Sequence, residues 1–349
     1  MSRSARFLDA VHVRQSDCTP VWFMRQAGRY MSEYRRIREK YGLLEMFKTP
    51  EIAAEVTLQP IHAFAVDAAI LFADILLPLE AMGLSLEFVE GEGPVLRNPV
   101  RSLKEAEALL IPDPEESLGY VLETLRLVRR EIDGKVPLIG FAGAPFTLAG
   151  YAIEGGGSRS FALTKRVMYE HRETWEVLMQ RVTETVTTFL LKQAAAGAQV
   201  VQLFDSWVGC LSPSDYGQYV QPYSQMIFSS LAHEGIPAIH FGTGTGDLLP
   251  SMSAAGGDVI GADWRIWIDD AWSRAGGDRG IQGNLDPAVL LASWPVVEKK
   301  AAEILDRVRG RSGHIFNLGH GILPQTPVDN VKRLADFVHE HTGDSHRNH

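Results

Sequence analysis

Eight short apolar runs, each closed by glycine, polar or charged residues, recur along the chain with longer helical stretches between them. They are Pro20–Met24, Ala68–Ala73, Val136–Ala142, Gln199–Phe204, Pro237–Phe241, Asp258–Ala262, Gly280–Gly283 and His314–Leu318. Runs this short, apolar on both parities and bounded by breakers, are the pattern of strands buried on both faces. Between them, Val121, Leu125, Val128 and Ile132 form one helical stripe. A capping residue followed by proline marks helix starts at Thr49-Pro50, Ser212-Pro213, Asp286-Pro287 and Thr326-Pro327. Strand, loop and helix repeated eight times predict a single-domain (β/α)8 TIM barrel over residues 1–342, with a doubly wound open sheet as the alternative. The run Asp258–Gly283 is the weakest part of that pattern. The polar segment 343–349 is expected to fray.

Composition narrows the functional classes. The 349 residues carry 34 Lys+Arg against 43 Asp+Glu, a net charge of −9, and are 45% apolar and 22% charged. That balance predicts a soluble globular chain and argues against nucleic acid or an anionic membrane as partner. Cys18 and Cys210 are too few for a disulfide framework or a Cys-based zinc site. Asp67, Asp74, Pro78 and Glu80 interrupt the most apolar stretch, Ile61–Leu86, so it is not expected to span a membrane. Residues 1–13 lack the apolar core of a secretion signal. The cytoplasm is the expected compartment.

A barrel puts its chemistry at the C-terminal ends of its strands. After the first run come Arg25, Gln26, Ala27, Gly28 and Arg29. Two closely spaced guanidinium groups form either a surface ion-pair patch or a clamp for carboxylate or phosphate. Asp74 lies within the apolar segment that follows the second run, and is either a helix cap or Arg partner, or an anion facing a cationic or N–H-rich ligand. Tyr151 follows the third run in a glycine-rich stretch and is either core or a hydroxyl offered to a ligand. Ser206 follows the fourth but has no Gly-x-Ser-x-Gly elbow. The glycines of residues 242–246 do not make a dinucleotide fingerprint. His320 follows the eighth run between two glycines, which leaves its ring accessible. No His-Glu-x-x-His or paired-cysteine metal motif is present.

Residues 20–30 (PVWFMRQAGRY) closely resemble the N-terminal signature of the uroporphyrinogen decarboxylase family, and residues 140–158 (GFAGAPFTLAGYAIEGGGS) resemble its second signature. LFADILLPLEAMG, QLFDSW and NLGHG follow in the family's order. The resemblance implies a cytoplasmic homodimeric barrel that needs no metal or organic cofactor. It implies removal of the four acetate carboxyls of uroporphyrinogen III, giving coproporphyrinogen III and four CO2. It carries substrate binding to Arg25, Gln26, Ala27, Gly28, Arg29, Asp74, Tyr151, Ser206 and His320, and the essential aspartate to Asp74. Asp205 and Trp207 flank Ser206 where family members often differ. A protonated pyrrole accepts the departing electrons itself, so Asp74 suits the transient cation, while Arg25 and Arg29 suit the carboxylates. Related methyltransferases hold zinc with a His-x-Cys pair at the fifth strand and a later cysteine. Here the matching run is His240-Phe241-Gly242, and no cysteine follows Cys210. A catalytically silent tetrapyrrole-binding protein is the rival of a different class.

Overall fold

A computed structural model describes residues 1–89 and 91–343. Its seven-stranded sheet comprises β1 (Ala69–Ile70), β4 (Leu138–Gly143), β5 (Val200–Asp205), β6 (Ala238–Gly242), β7 (Val259–Gly261), β8 (Gly280–Leu285) and β9 (His314–Leu318), joined in that order. Every neighbouring pair is parallel. Seven of the eight expected runs are therefore strands of one α/β sheet of TIM-barrel-like design.

The first run is not a strand. Pro20 has no N–H to give, and Val21 makes a single parallel bridge to Phe316 of β9. Trp22 N donates to Phe316 O, and Phe316 N donates to Pro20 O. On its other side Val21 meets Asp67, whose N–H donates to Val21 O at 2.7 Å. The Asp67 side chain replaces the missing ladder partner: Val21 N donates to Asp67 Oδ2 at 2.8 Å. Both hydrogen-bonding groups of Val21 thus turn to Asp67 at the entry of β1, while Pro20 and Trp22 on either side of it bond to β9. The sequence reading also passes over a hairpin, β2 (Leu86–Val89) with β3 (Gly93–Leu96). Its signal was the Leu86/Phe88 alternation before Gly91 and Gly93, both at positive φ.

The alternating parities of the strands divide the core. Ile139, Val200, Ile239, Val259 and Ile315 join Trp22 and Met24 inside the sheet, and Phe7, Ala10 and Val11 of the helix Arg3–Val11 pack into the same cluster. Leu138, Val201, Leu203 and Phe316 pack outward with the helices, including Leu178, Val182 and Phe189 of the helix Arg172–Ala195. The Val121/Leu125/Val128/Ile132 stripe is buried as expected on and just past the helix Gly119–Glu131. Helices begin at Pro50 and Pro213, and Ser212 Oγ accepts from Asp215 N. Asp286-Pro287 instead opens a short 3-10 turn, and the helix starts at Trp294. The last helix, Val328–Gly343, includes Gly343. Residues 344–349 of the expected tail lie outside the described residues.

Asp67 is fully buried and carries four interactions. Arg6 Nη1 donates to Oδ1 at 2.7 Å, His339 Nε2 lies 2.6 Å from Oδ2, and Val21 N donates to the same oxygen. Its own N–H supplies the fourth. It therefore ties the first helix, the first run and the last helix together. Replacing this carboxylate breaks its charged bonds to Arg6 and to Val21 N, while Arg6 keeps two bonds to Asp17. Asp67→Asn is expected to destabilise the fold by about 3 kcal/mol, read from chemical denaturation, and an unmoved midpoint would refute this clasp.

Two fully buried histidines set a pH dependence. Burial pushes His240 and His314 down to about 4. Both are neutral in the fold over a range where the unfolded chain protonates them, so stability is lost as pH falls from about 6.5 towards 4. Asp205, pushed up to about 7 by burial, and Asp74, also raised, work in the opposite sense against these two and His320, likewise pushed down to about 4. Equilibrium unfolding at pH 7.5 and pH 5 should show the lower stability at pH 5, with a flatter dependence in His240→Gln.

Candidate active site

The loop after the first run is built from its backbone outward. Met24 N donates to Asn317 Oδ1 at 3.0 Å, and Ile322 N donates to Met24 O at 2.9 Å. These two bonds fasten the loop to the end of β9 and to the segment that leaves it. Arg25 then adopts a left-handed backbone, φ 59°, which costs a non-glycine residue on the order of 1 kcal/mol. Its side chain runs over Gly321, where a Cβ would lie 2.5 Å from Arg25 Cδ. Gln26 is 1% exposed: Phe23 N donates to its Oε1, its Nε2 donates to Ala68 O, and Tyr30 Oη donates to its carbonyl. Its side chain is therefore spent on anchoring the loop to the entry of β1. Ala27 and Gly28 are half-buried, and Arg29 is exposed with its carbonyl accepting from Arg35 Nη1.

Asp74 follows β1 through the segment Leu71–Ala73. Thr57 Oγ1 accepts from Phe72 N at 3.0 Å and holds that segment in place. Leu76 N donates to Asp74 Oδ1 at 2.9 Å, at the start of the helix Leu77–Ala81. Asp74 thus closes a turn just before that helix and caps none of its amides, the N-cap being Leu76, while Oδ2 has no hydrogen-bonding partner among the described residues. Burial raises the Asp74 carboxyl above its ordinary value, and the Leu76 amide and the Arg25 charge oppose that rise. Burial, then the charge of Asp74, raises the Tyr151 hydroxyl. Tyr151 lies in the helix Pro145–Glu154 with its ring edge-on to Trp207 at 6.0 Å.

Ser206 sits at the C-terminal end of β5. Its carbonyl accepts from Thr243 Oγ1, and its hydroxyl has no protein partner among the described residues. Asp205, on the opposite strand parity from Phe204, faces the helix instead. Thr147 Oγ1 donates to Asp205 Oδ1 at 2.9 Å and accepts from Trp207 N at 3.2 Å. Asp205 therefore braces the Ser206-Trp207 turn from behind. Trp207 packs beside Tyr151.

His320 is half-buried between two close approaches. A Cβ at Gly319 would lie 2.6 Å from Trp264 N, and one at Gly321 meets Arg25. Burial, assisted by Arg25 and Arg265, pushes His320 down to about 4, so the ring is neutral near pH 7. Charge interactions thus link Arg25 with Asp74, Tyr151 and His320. Trp207, beside Tyr151, directly follows Ser206, and the Tyr34 hydroxyl feels both Arg29 and Arg25. Sequence reasoning missed Asp263 and Arg265. The signal was present, because both follow the sixth run just as the other candidates follow theirs. His240 points outward: its ring centre lies 4.7 Å from that of Phe228, tilted by 44°, and its Nδ1 lies 3.2 Å from Met252 O.

The family described as uroporphyrinogen decarboxylase (URO-D) matches residues 2–341. The chain belongs to the uroporphyrinogen decarboxylase family. It is 56% identical over 345 residues to a uroporphyrinogen decarboxylase of Roseiflexus sp. (strain RS-1), covering 97% of this chain and 99% of that one. It is 58% identical over 334 residues to that of Sorangium cellulosum (strain So ce56), covering 96% and 95%. Among solved structures, a methyltransferase from Methanosarcina mazei shares the fold at 20% identity and a TM-score of 0.82, covering 98% of this chain and 99% of that one. Membership of the uroporphyrinogen decarboxylase family makes this chain an enzyme, a decarboxylase of porphyrin biosynthesis.

Gly321 gives the Arg25 side chain its room, and a methyl group there must displace it. Gly321→Ala is expected to lower kcat/KM at least tenfold, about 1.4 kcal/mol in transition-state binding, with the melting temperature nearly unchanged. Normal kinetics in this variant would show that the Arg25 position is not critical.

Proposed function

We propose that this enzyme removes the four acetate carboxyls of uroporphyrinogen III, releasing four CO2 and coproporphyrinogen III, without a metal or organic cofactor. The observation that carries the reading is Asp74: one carboxylate oxygen fixed by the Leu76 N–H, the other unpartnered, with Arg25 within electrostatic reach. A proton added to the pyrrole carbon beside an acetate makes the ring cationic. The C–C bond to the carboxylate then breaks, its electron pair flows into that cation, and CO2 leaves an exocyclic methylene. A second proton turns the methylene into methyl, and loss of the first proton restores the pyrrole. Each round thus consumes one proton and yields one CO2.

Asp74 accepts hydrogen bonds from the pyrrole N–H groups and faces the cation as it forms. At about 4 Å and an effective dielectric near 20, one such charge pair is worth roughly 4 kcal/mol. Arg25 and Arg29 clamp acetate and propionate groups as forks. Tyr151, Ser206 and the neutral His320 offer hydrogen bonds to further carboxylates, and Gln26, Ala27 and Gly28 set the loop that carries the two arginines. In this reading Val21 is the eighth position of a closed (β/α)8 barrel spanning residues 1–342. A cytoplasmic homodimer follows the family resemblance.

Asp74→Asn keeps the shape and removes the charge. It is expected to lower kcat by about a thousandfold, measured by anaerobic incubation with uroporphyrinogen III and chromatography of the products. Near-normal turnover in the purified variant would remove Asp74 from this role.

A further inference from the structure

We infer that Arg265 is a third carboxylate-binding guanidinium of this site and helps to select substrates acidic around their whole rim. The inference rests on the substrate reading above. Going round the sheet, Arg25 and Arg29 follow the Val21 segment, Asp74 follows β1, Tyr151 follows β4, Ser206 follows β5 and His320 follows β9. The arc formed by β6, β7 and β8 has no member in that set. A macrocycle bearing acidic arms on all four rings turns some of them towards that arc, and Arg265 stands four residues beyond the end of β7.

Arg265 is exposed, yet it is held twice. Its Nη1 pairs with Asp263, a 2%-exposed carboxylate whose Oδ2 also accepts from Gly244 N and whose Oδ1 accepts from Arg265 N at 3.1 Å. Its guanidinium carbon lies 4.2 Å from the centre of the Trp264 ring. Nε and Nη2 have no hydrogen-bonding partner among the described residues. The buried carboxylate and the indole fix a long side chain that would otherwise lose its freedom on binding, leaving part of its fork available. The same loop touches the site directly, because Gly319 packs on Trp264 and Asp263 one residue before His320. His320 therefore lies between Arg25 on one side and the Arg265 loop on the other.

Steady-state kinetics of Arg265→Gln and Arg265→Lys, run anaerobically with uroporphyrinogen III over a range of salt, test this. Arg265→Gln should raise KM about tenfold, with kcat falling less than threefold and a weaker salt dependence of KM, alongside the lower melting temperature that follows from unpairing the buried Asp263. Arg265→Lys should recover only part of the loss, because the charge returns without the fork. An unmoved KM in Arg265→Gln beside normal wild-type turnover overturns this inference alone. A drop in melting temperature and kcat with KM unmoved does so too, and makes Arg265 a brace for its loop. A wild-type enzyme that releases no CO2 from uroporphyrinogen III overturns the substrate reading and this inference with it.

Discussion

The backbone N–H and carbonyl of Val21 face away from β9, and Asp67 alone partners both of them. A buried N–H or carbonyl without a partner costs as much as a lost hydrogen bond, and the first run, whose Pro20 has no N–H, makes only a single bridge to the sheet. One aspartate answers with its own N–H and its side chain. Arg6 compensates its charge, and His339, brought from the opposite end of the chain, lies within hydrogen-bond distance of it. The arrangement couples the termini to the segment that leads directly into Arg25, so the stability of one end of the sheet and the geometry of the other share a strand-length of chain.

At the functional end, small residues and backbone bonds do the positioning. Asn317 and Ile322 grip Met24, and Gly321 makes room for the Arg25 stem. Gln26 ties the same loop to the entry of β1. Substrate-contacting side chains are thus oriented by neighbours that need not touch the substrate, which is what precise placement on a rigid scaffold demands. The electrostatics follow from that packing. Arg25 stabilises the charged form of Asp74 and the neutral form of His320, so a single guanidinium biases an acid and a base in the same mouth.

Much of this was legible before any coordinates. Seven of eight runs are strands, because length, apolar content on both parities and bounding breakers are local properties. The rule that strand ends carry chemistry led to Arg25, Asp74, Tyr151, Ser206 and His320. The same rule reaches Asp263 and Arg265 at the end of the sixth run, where the strand pattern is weakest and the signal correspondingly faint. The β2–β3 hairpin was hidden because an apolar stretch with glycines also reads as a loop. The roles of Gln26 and Asp205 were beyond sequence reasoning, since each depends on a hydrogen bond across many residues: Gln26 to Ala68 O, Asp205 to Thr147.

Sequence by itself determined the alternation of strand and helix, the residue types at each strand end and membership of the family, because those are written in short-range periodicity and motif. Tertiary structure alone decided that Val21 is held by a side chain in place of a strand, that Gln26 is an anchor, that His240 faces outward and that Arg265 borders His320. Those outcomes depend on which distant groups meet in a low-dielectric interior, where an unpaired donor or charge is costly and its partner is set by packing.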